Sequence, residues 1–184
     1  TTEIYTLSLH DALPILSSLS GFGFLSLKPV MVLLNLAEGQ PAPKIDYPHQ
    51  HSLVVDLQGK LEMDMAKLSP EDAEMFMEEY GITELSLNRM IKYSYDLLGQ
   101  HSFFTVGPDE CRAWTVRTGA LAPEAAGVIH TDLQKGFIRA EVVSYDDLMA
   151  FGGMNEVKAK GKLRLEGKEY VVKDGDVLNI RFNI

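Results

Sequence analysis

The sequence predicts an α+β protein in two parts, a small strand-rich C-terminal domain preceded by linking helices and by two strands of an α/β sheet. Three observations predict it. Two short apolar runs each end in a polar segment containing glycine. Helix start and stop signals cluster between residues 69 and 99. Beyond His101, short β-type runs alternate with short helical pieces.

The first apolar run, Pro29–Asn35, has the continuous hydrophobicity of a strand buried on both faces. It leads into Asn35-Leu36-Ala37-Glu38-Gly39. The stretch 40–50 holds Pro41, Pro43 and Pro48, which argues for a loop. Ser52–Leu57 is a second strand, ending at Gln58-Gly59-Lys60, and that end reads equally as a plain turn or as a close backbone approach to a ligand. In open α/β sheets ligands sit beyond the carboxyl ends of the strands. Ser69, Pro70 and Asp72 are then N-cap, first-turn and capping-box residues of a helix, with Gly81 as its stop. A second helix over 87–98 places Leu87, Met90, Ile91, Tyr95 and Leu98 on one apolar face, and Gly99 ends it.

The remaining chain reads as a separate small α+β domain. Strands are expected at 102–106 and 111–116, joined by a Gly107-Pro108-Asp109 turn. A short helix opens at Pro123 and ends near Gly127. Phe137–Ser144 is strand-like, 145–151 and 155–160 are helical, and 170–172 and 177–182 are strands around Asp174-Gly175-Asp176.

Composition narrows the function classes. The chain has 184 residues, 46% hydrophobic and 23% charged, the balance of a soluble globular protein. Its formal net charge of −9 is uneven, with six Lys/Arg against twelve Asp/Glu over 16–100 but eleven against twelve over 101–184. An acidic chain is no general nucleic-acid binder, so DNA specificity is not expected and any RNA contact must come from a local patch. No apolar run approaches the length that spans a bilayer, and a single cysteine, Cys111, suits a reducing cytoplasm. Residues 1–15, TTEIYTLSLHDALPI, resemble the in-frame translation of a short-read sequencing adapter. They are set aside as non-native, which implies a longer natural protein.

Several blocks in order resemble the YchF / Obg-like ATPase family: FLSLKP (24–29), NLAE (35–38), RAWTV (112–116), APEAAGVIHTD (122–132), KGFIRAE (135–141), SYDD (144–147), GKLRLEG (161–167) and KDGDV (173–177). The likeness is dense from His101 onward and thinner over 21–99. It implies three parts, a P-loop G domain, a helical insertion and a C-terminal TGS domain of β-grasp type. On that reading, 16–66 is the remnant of the G domain with its last two strands, 67–99 are linking helices, and 100–184 is the TGS domain.

The resemblance also implies roles. Asn35 would be the polar contact to the nucleotide base and Leu36 the residue whose backbone lies against it. Glu38 stands where most G proteins have Asp, implying ATP over GTP. Gln58 and Gly59 would form the second base-contacting loop. Without the resemblance, Asn35 and Glu38 read as an ordinary strand-end turn. ATP with Mg2+ is implied for the full-length parent, and ribosome association suggests rRNA phosphates as a partner for the basic run Lys158, Lys160, Lys162 and Arg164, joined by Lys168, Arg112, Lys135 and Arg139. His130-Thr131-Asp132 reads as a local cap, His49 and His51 lack companions for metal binding, and Cys111 reads as a small packed or half-exposed strand residue. The rival reading is a free-standing TGS module that binds RNA or the ribosome without nucleotide chemistry.

Nowhere in the 184 residues is there a G-x-x-x-x-G-K-[ST] loop; Gly21-Phe22-Gly23 is too short and lacks the lysine. Base contacts alone cannot position phosphates and metal. The purified 184-residue chain is therefore expected to leave ATP unhydrolysed, and steady-state phosphate release above the buffer blank would contradict this.

Overall fold

The computed structural model describes residues 20–49, 51–107 and 109–183. The adapter-like segment 1–15 and Pro108 of the predicted turn lie outside them. The chain divides into two compact units between Leu98 and Gly99.

In the first unit, β1 (Val30–Asn35) and β2 (Ser52–Leu57) form a two-stranded parallel sheet, in register from Val30 opposite Ser52 to Asn35 opposite Leu57. Both strands are rich in Val and Leu, which suit a pleated, half-buried surface. The proline-bearing stretch between them forms no helix or strand among its described residues. The stretch after β2, which reads in sequence equally as a plain turn or as a close backbone approach, is neither a turn nor a bare loop here: Gly59 is the first residue of a helix, α1 (Gly59–Met65), which buries Leu61 and Met65 one turn apart.

Helix α2 (Pro70–Glu79) starts as the sequence predicts, with Ser69 Oγ accepting the Asp72 amide at 3.2 Å and Pro70 in the first turn. It ends in a Schellman arrangement. The Ile82 amide donates to the Met77 carbonyl at 2.8 Å and the Gly81 amide to that of Glu78 at 3.2 Å, with Gly81 at φ 64°. Glu78 and Glu79 in the last turn oppose the helix dipole, at a cost of about 0.3–1 kcal/mol each.

Helix α3 (Ser86–Leu97) contacts both strands, and the expected apolar face is covered only in part, with Met90 and Tyr95 half-buried. Leu87, Ile91 and Leu98 are exposed, whereas Ser86 is buried. Two polar contacts set the rotation of α3. Ser86 gives its amide to both Glu62 carboxylate oxygens (3.1 and 3.0 Å), and Arg89 Nη2 donates to the Asp56 carbonyl at 2.6 Å.

The second unit is a five-stranded mixed sheet in the order β4-β3-β7-β5-β6. Strands β3 (Gln100–Val106) and β4 (Cys111–Arg117) are an antiparallel hairpin. Strand β7 (Asp176–Phe182) lies parallel to β3 and antiparallel to β5 (Phe137–Ser144), and β5 pairs with the short β6 (Arg164–Glu166). Helices α4 (Ala122–Ile129) and α5 (Thr131–Lys135) flank one core, where Ala122, Ala125 and Ala126 allow close approach to Phe103, Val142 and Leu178. Helices α6 (Tyr145–Phe151) and α7 (Met154–Ala159) accompany a second core around Val143, Val157 and Val177. The expected strand at 170–172 is also corrected: it makes only a single bridge, Leu121 to Val171, and the pairing strand is β6.

Tyr170 is instead turned toward a buried carboxylate. Its hydroxyl donates to Asp176 Oδ2 at 2.7 Å, the Lys173 amide donates to the same oxygen at 2.9 Å, and Arg164 Nη2 lies 3.5 Å from Asp176 Oδ1. Asp176 is only 3% exposed, so these partners compensate its burial. Desolvation first, and then the bond to Asp176, push the Tyr170 hydroxyl up from 10.0 to about 12. Below pH 10 the tyrosine is neutral in both folded and unfolded chains and the bond contributes in full. Between pH 10 and about 12 the unfolded chain loses the proton first, so stability falls as pH rises. Tyr170→Phe is expected to cost about 1 kcal/mol at neutral pH. In paired urea titrations, its deficit against the parent should shrink once the pH passes 10; a deficit that stays constant to higher pH would exclude the coupling.

Candidate functional site

A parallel pair in register delivers both carboxyl ends to one edge, and there the structure brings two of the proposed base-site residues together. Asn35 closes β1, and its Oδ1 accepts the Gly59 amide at 3.1 Å, across from the end of β2. A Cβ on residue 59 would lie 3.1 Å from that same Oδ1 and 3.1 Å from Leu57 Cδ1, so a larger residue would have to push both side-chain ends back by a few tenths of an ångström. Asn35 retains its amide NH2 and the second lone pair of Oδ1 for a ligand.

Leu36 continues the edge. Its amide donates to the Leu57 carbonyl at 2.8 Å and its side chain is buried, which fixes the peptide that follows Asn35. The turn after it is closed by Gln40, whose Oε1 accepts the Ala37 amide at 3.0 Å and whose own amide donates to the Ala37 carbonyl at 3.0 Å, with Gly39 at φ 70°. Glu38 is exposed on this turn. The negative charge of Glu38 raises the Tyr80 hydroxyl above its ordinary value. Gln58 is the N-cap residue of α1 but makes no side-chain cap bond.

Beside this edge lies a polar recess of about 260 Å³, whose lining includes Gln58, Glu62, Tyr80, Glu84 and Arg89. Sequence reasoning missed Glu62, Tyr80 and Arg89. The four-residue spacing of Leu61 and Met65 was a signal for α1, and hence for Glu62. Nothing local announced Arg89, which meets Asp56 across 33 positions of sequence.

The basic run lies in the second unit and is less uniform than its sequence suggests. Lys158 and Lys160 are exposed, and Lys162 sits 3.4 Å from Asp147. Arg164 is turned onto Tyr170 and Asp176 and also lies 3.3 Å from Glu166. Arg112 stacks on Trp114, 4.3 Å from the ring centroid, while Lys135, Arg139 and Lys168 are exposed. His130 Nδ1 accepts the Asp132 amide at 3.1 Å as the cap of α5, and His49 Nε2 lies 3.1 Å from the Ser26 carbonyl. Cys111 is exposed rather than packed.

Residues 100–183 match the family model YchF-GTPase_C, described as a protein of unknown function (DUF933). The chain is 46% identical over 176 residues to the ribosome-binding ATPase YchF of Haemophilus ducreyi, an alignment covering 92% of this chain and 48% of that protein. It is 45% identical over 170 residues to the protein of the same name from Bacillus subtilis, covering 87% and 46%. With human Obg-like ATPase 1 it shares 42% identity over 171 residues, covering 87% and 43%. The chain thus spans about half the length of these curated relatives. Among solved structures, the YchF GTPase of Schizosaccharomyces pombe superposes at a TM-score of 0.61 with 35% identity, over 71% of this chain and 34% of that one.

The Asn35–Gly59 contact makes a local prediction. Asn35→Ala should cost about 0.5–1.5 kcal/mol, the net value of one hydrogen bond. It should also shift the Gly59 amide resonance, whereas Asn35→Asp, which keeps the acceptor oxygen, should largely preserve that resonance. Equal shifts in the two variants would exclude the bond.

Proposed function

The chain belongs to the YchF / Obg-like ATPase family, and on that premise we propose that it supplies the base-reading edge and the C-terminal domain of a ribosome-associated ATP hydrolase. In this reading β1 and β2 are the last two strands of a P-loop G domain, and the five-stranded unit is a TGS domain of β-grasp type. The setting is the cytoplasm. Among the described residues no helix is long and apolar enough to cross a membrane.

The observation that carries the reading is the convergence of Asn35 and Gly59 at the carboxyl edge of a parallel strand pair. Adenine presents an N7 acceptor beside an exocyclic amine donor, and an Asn side chain can pair with both. Gly59 fixes the Asn35 amide by accepting no side chain of its own and giving its N–H to Oδ1. That leaves Nδ2 to donate to N7 and the remaining Oδ1 lone pair to accept from the amine. Leu36 supports the base with its backbone, and Gln58 borders the same edge. Glu38 stands on this turn where most G proteins have Asp, and the family resemblance makes it the residue that favours ATP over GTP.

The fit extends to the base and no further. The phosphates and Mg2+ require a phosphate-binding loop, and the 184 residues contain none, so hydrolysis belongs to a longer parent. Selectivity can be tested there. In a full-length relative, Asp at the position aligned with Glu38 should raise the GTP-to-ATP ratio of kcat/KM by about tenfold or more. An unchanged ratio would remove Glu38 from the discrimination.

Lys158, Lys160 and Lys162 are proposed to meet rRNA phosphates, with Arg164 supporting the fold beside them. Reversing the three lysines to Glu should lower the fraction of chain that pellets with ribosomes several-fold at low salt. The same pelleted fraction as the parent would exclude this patch while leaving the base-site reading intact.

A further inference from the structure

The Schellman stop of α2 ties the Ile82 backbone to that of Met77, and an open groove of about 680 Å³ is lined by this end of the helix and the residues that follow it. Its floor is Ala73, Met77 and Ile82, and Glu74 and Glu78 line it alongside. These positions recur at helical spacing along one side of α2, so an apolar stripe and a carboxylate stripe run in parallel. We propose that this groove receives a cationic amphipathic segment of a partner protein, its Lys or Arg heads against Glu74 and Glu78 and its apolar side chains on Met77 and Ile82. The proposal is independent of the nucleotide reading.

The charge pattern selects this occupant. Helix α2 carries Glu71, Asp72, Glu74, Glu78 and Glu79 and no Lys or Arg. Among the described residues no ion pair involves Glu71, Glu74, Glu78 or Glu79. Glu74 and Glu78 repel each other one turn apart, and Glu78 and Glu79 oppose the helix dipole. Local stability does not account for such an arrangement, and a cation laid along the carboxylate stripe would relieve both penalties. A nucleic-acid backbone or an anionic lipid surface would be repelled. The floor is equally selective. Met77 in the lining is an adaptable contact for irregular apolar side chains. Groove-and-helix recognition of an amphipathic peptide uses this combination of apolar anchors and flanking charge.

The test uses the whole chain, isotope-labelled, and a synthetic amphipathic helix of lysines and leucines. Controls are the same peptide with Glu for Lys and a lysine–glycine peptide of equal charge. The lysine–leucine peptide should perturb amide resonances within 70–83, and neither control should do so. Glu74→Lys combined with Glu78→Lys should weaken its binding about tenfold or more. These exposed positions tolerate lysine in a helix, and unchanged resonances for the strands β1 and β2 and for α3, in the same unit, verify the fold. Raising salt from about 50 to about 500 mM should weaken binding in the parent much more than in the double variant. Perturbations scattered outside 70–83, equal binding by the lysine–glycine peptide, or undiminished binding by the double variant would each overturn the proposal.

Discussion

The first unit depends on the parallel register of β1 and β2. Parallel strands end on the same edge, and a one-residue slip would turn every side chain to the opposite face. With Asn35 opposite Leu57, the last residue of β2 is two positions from a helix start, and the Gly59 amide falls within reach of Asn35 Oδ1. The same register lets the Leu36 amide close on the Leu57 carbonyl. Helix α1 begins there, and its Glu62 fixes the start of α3 through Ser86. Arg89 of α3 then returns to Asp56 on β2. Strand, helix and second helix thus form a closed ring of polar contacts around the edge that carries the candidate site.

The second unit solves a different problem. Asp176 must be buried because it starts β7 against the core, and a bare carboxylate there would be costly. Its charge is compensated by three donors from a short stretch of chain, Tyr170, Lys173 and Arg164. The neighbouring turn adds Asp174 Oδ1 accepting the Ser102 amide at 3.0 Å and the Gly175 amide donating to the Ser102 carbonyl at 2.9 Å. These bonds tie β3 to the turn before β7, the only parallel pairing in that sheet. Residues that read in sequence as a hairpin turn therefore act as the clamp that joins two strands distant along the chain.

Much of this was legible in the sequence where the signal is local. The limits of β2, β5 and α6 follow from the apolar runs and the helical pieces read along the chain, and α2 from Ser69, Pro70 and Gly81. The failures are non-local. Helix α1 was hidden because Gln58-Gly59-Lys60 has turn chemistry, and only the packing of Leu61 and Met65 makes it helical. The face of α3 is legible only at Met90 and Tyr95, because Leu87 and Ile91 outweigh Ser86 on any hydrophobicity scale yet are exposed while Ser86 is buried. The decisive contacts, to Glu62 and Asp56, come from residues 24 and 33 positions away. At the candidate site, Asn35 and Gly59 were both identifiable, but their mutual bond required the fold.

Charge illustrates the same limit from the functional side. A count along the chain makes residues 158–168 a basic run of five cations and the first unit simply acidic. In three dimensions Arg164 is committed to Asp176, and Lys162 lies beside Asp147, so Lys158, Lys160 and Lys168 remain the most available cations of the run. In the first unit, Asp64 is bracketed by Lys60 and Lys67 at 2.9 Å each, and Asp72 is drawn into the cap at Ser69. What remains unneutralised concentrates on α2. Partners sense this residual field rather than the formal total of −9, because paired charges a few ångströms apart cancel within a Debye length of about 8–10 Å. The two units therefore present opposite local characters, a carboxylate stripe on one and a few free lysines on the other, and each selects its partner by a field that the net charge conceals.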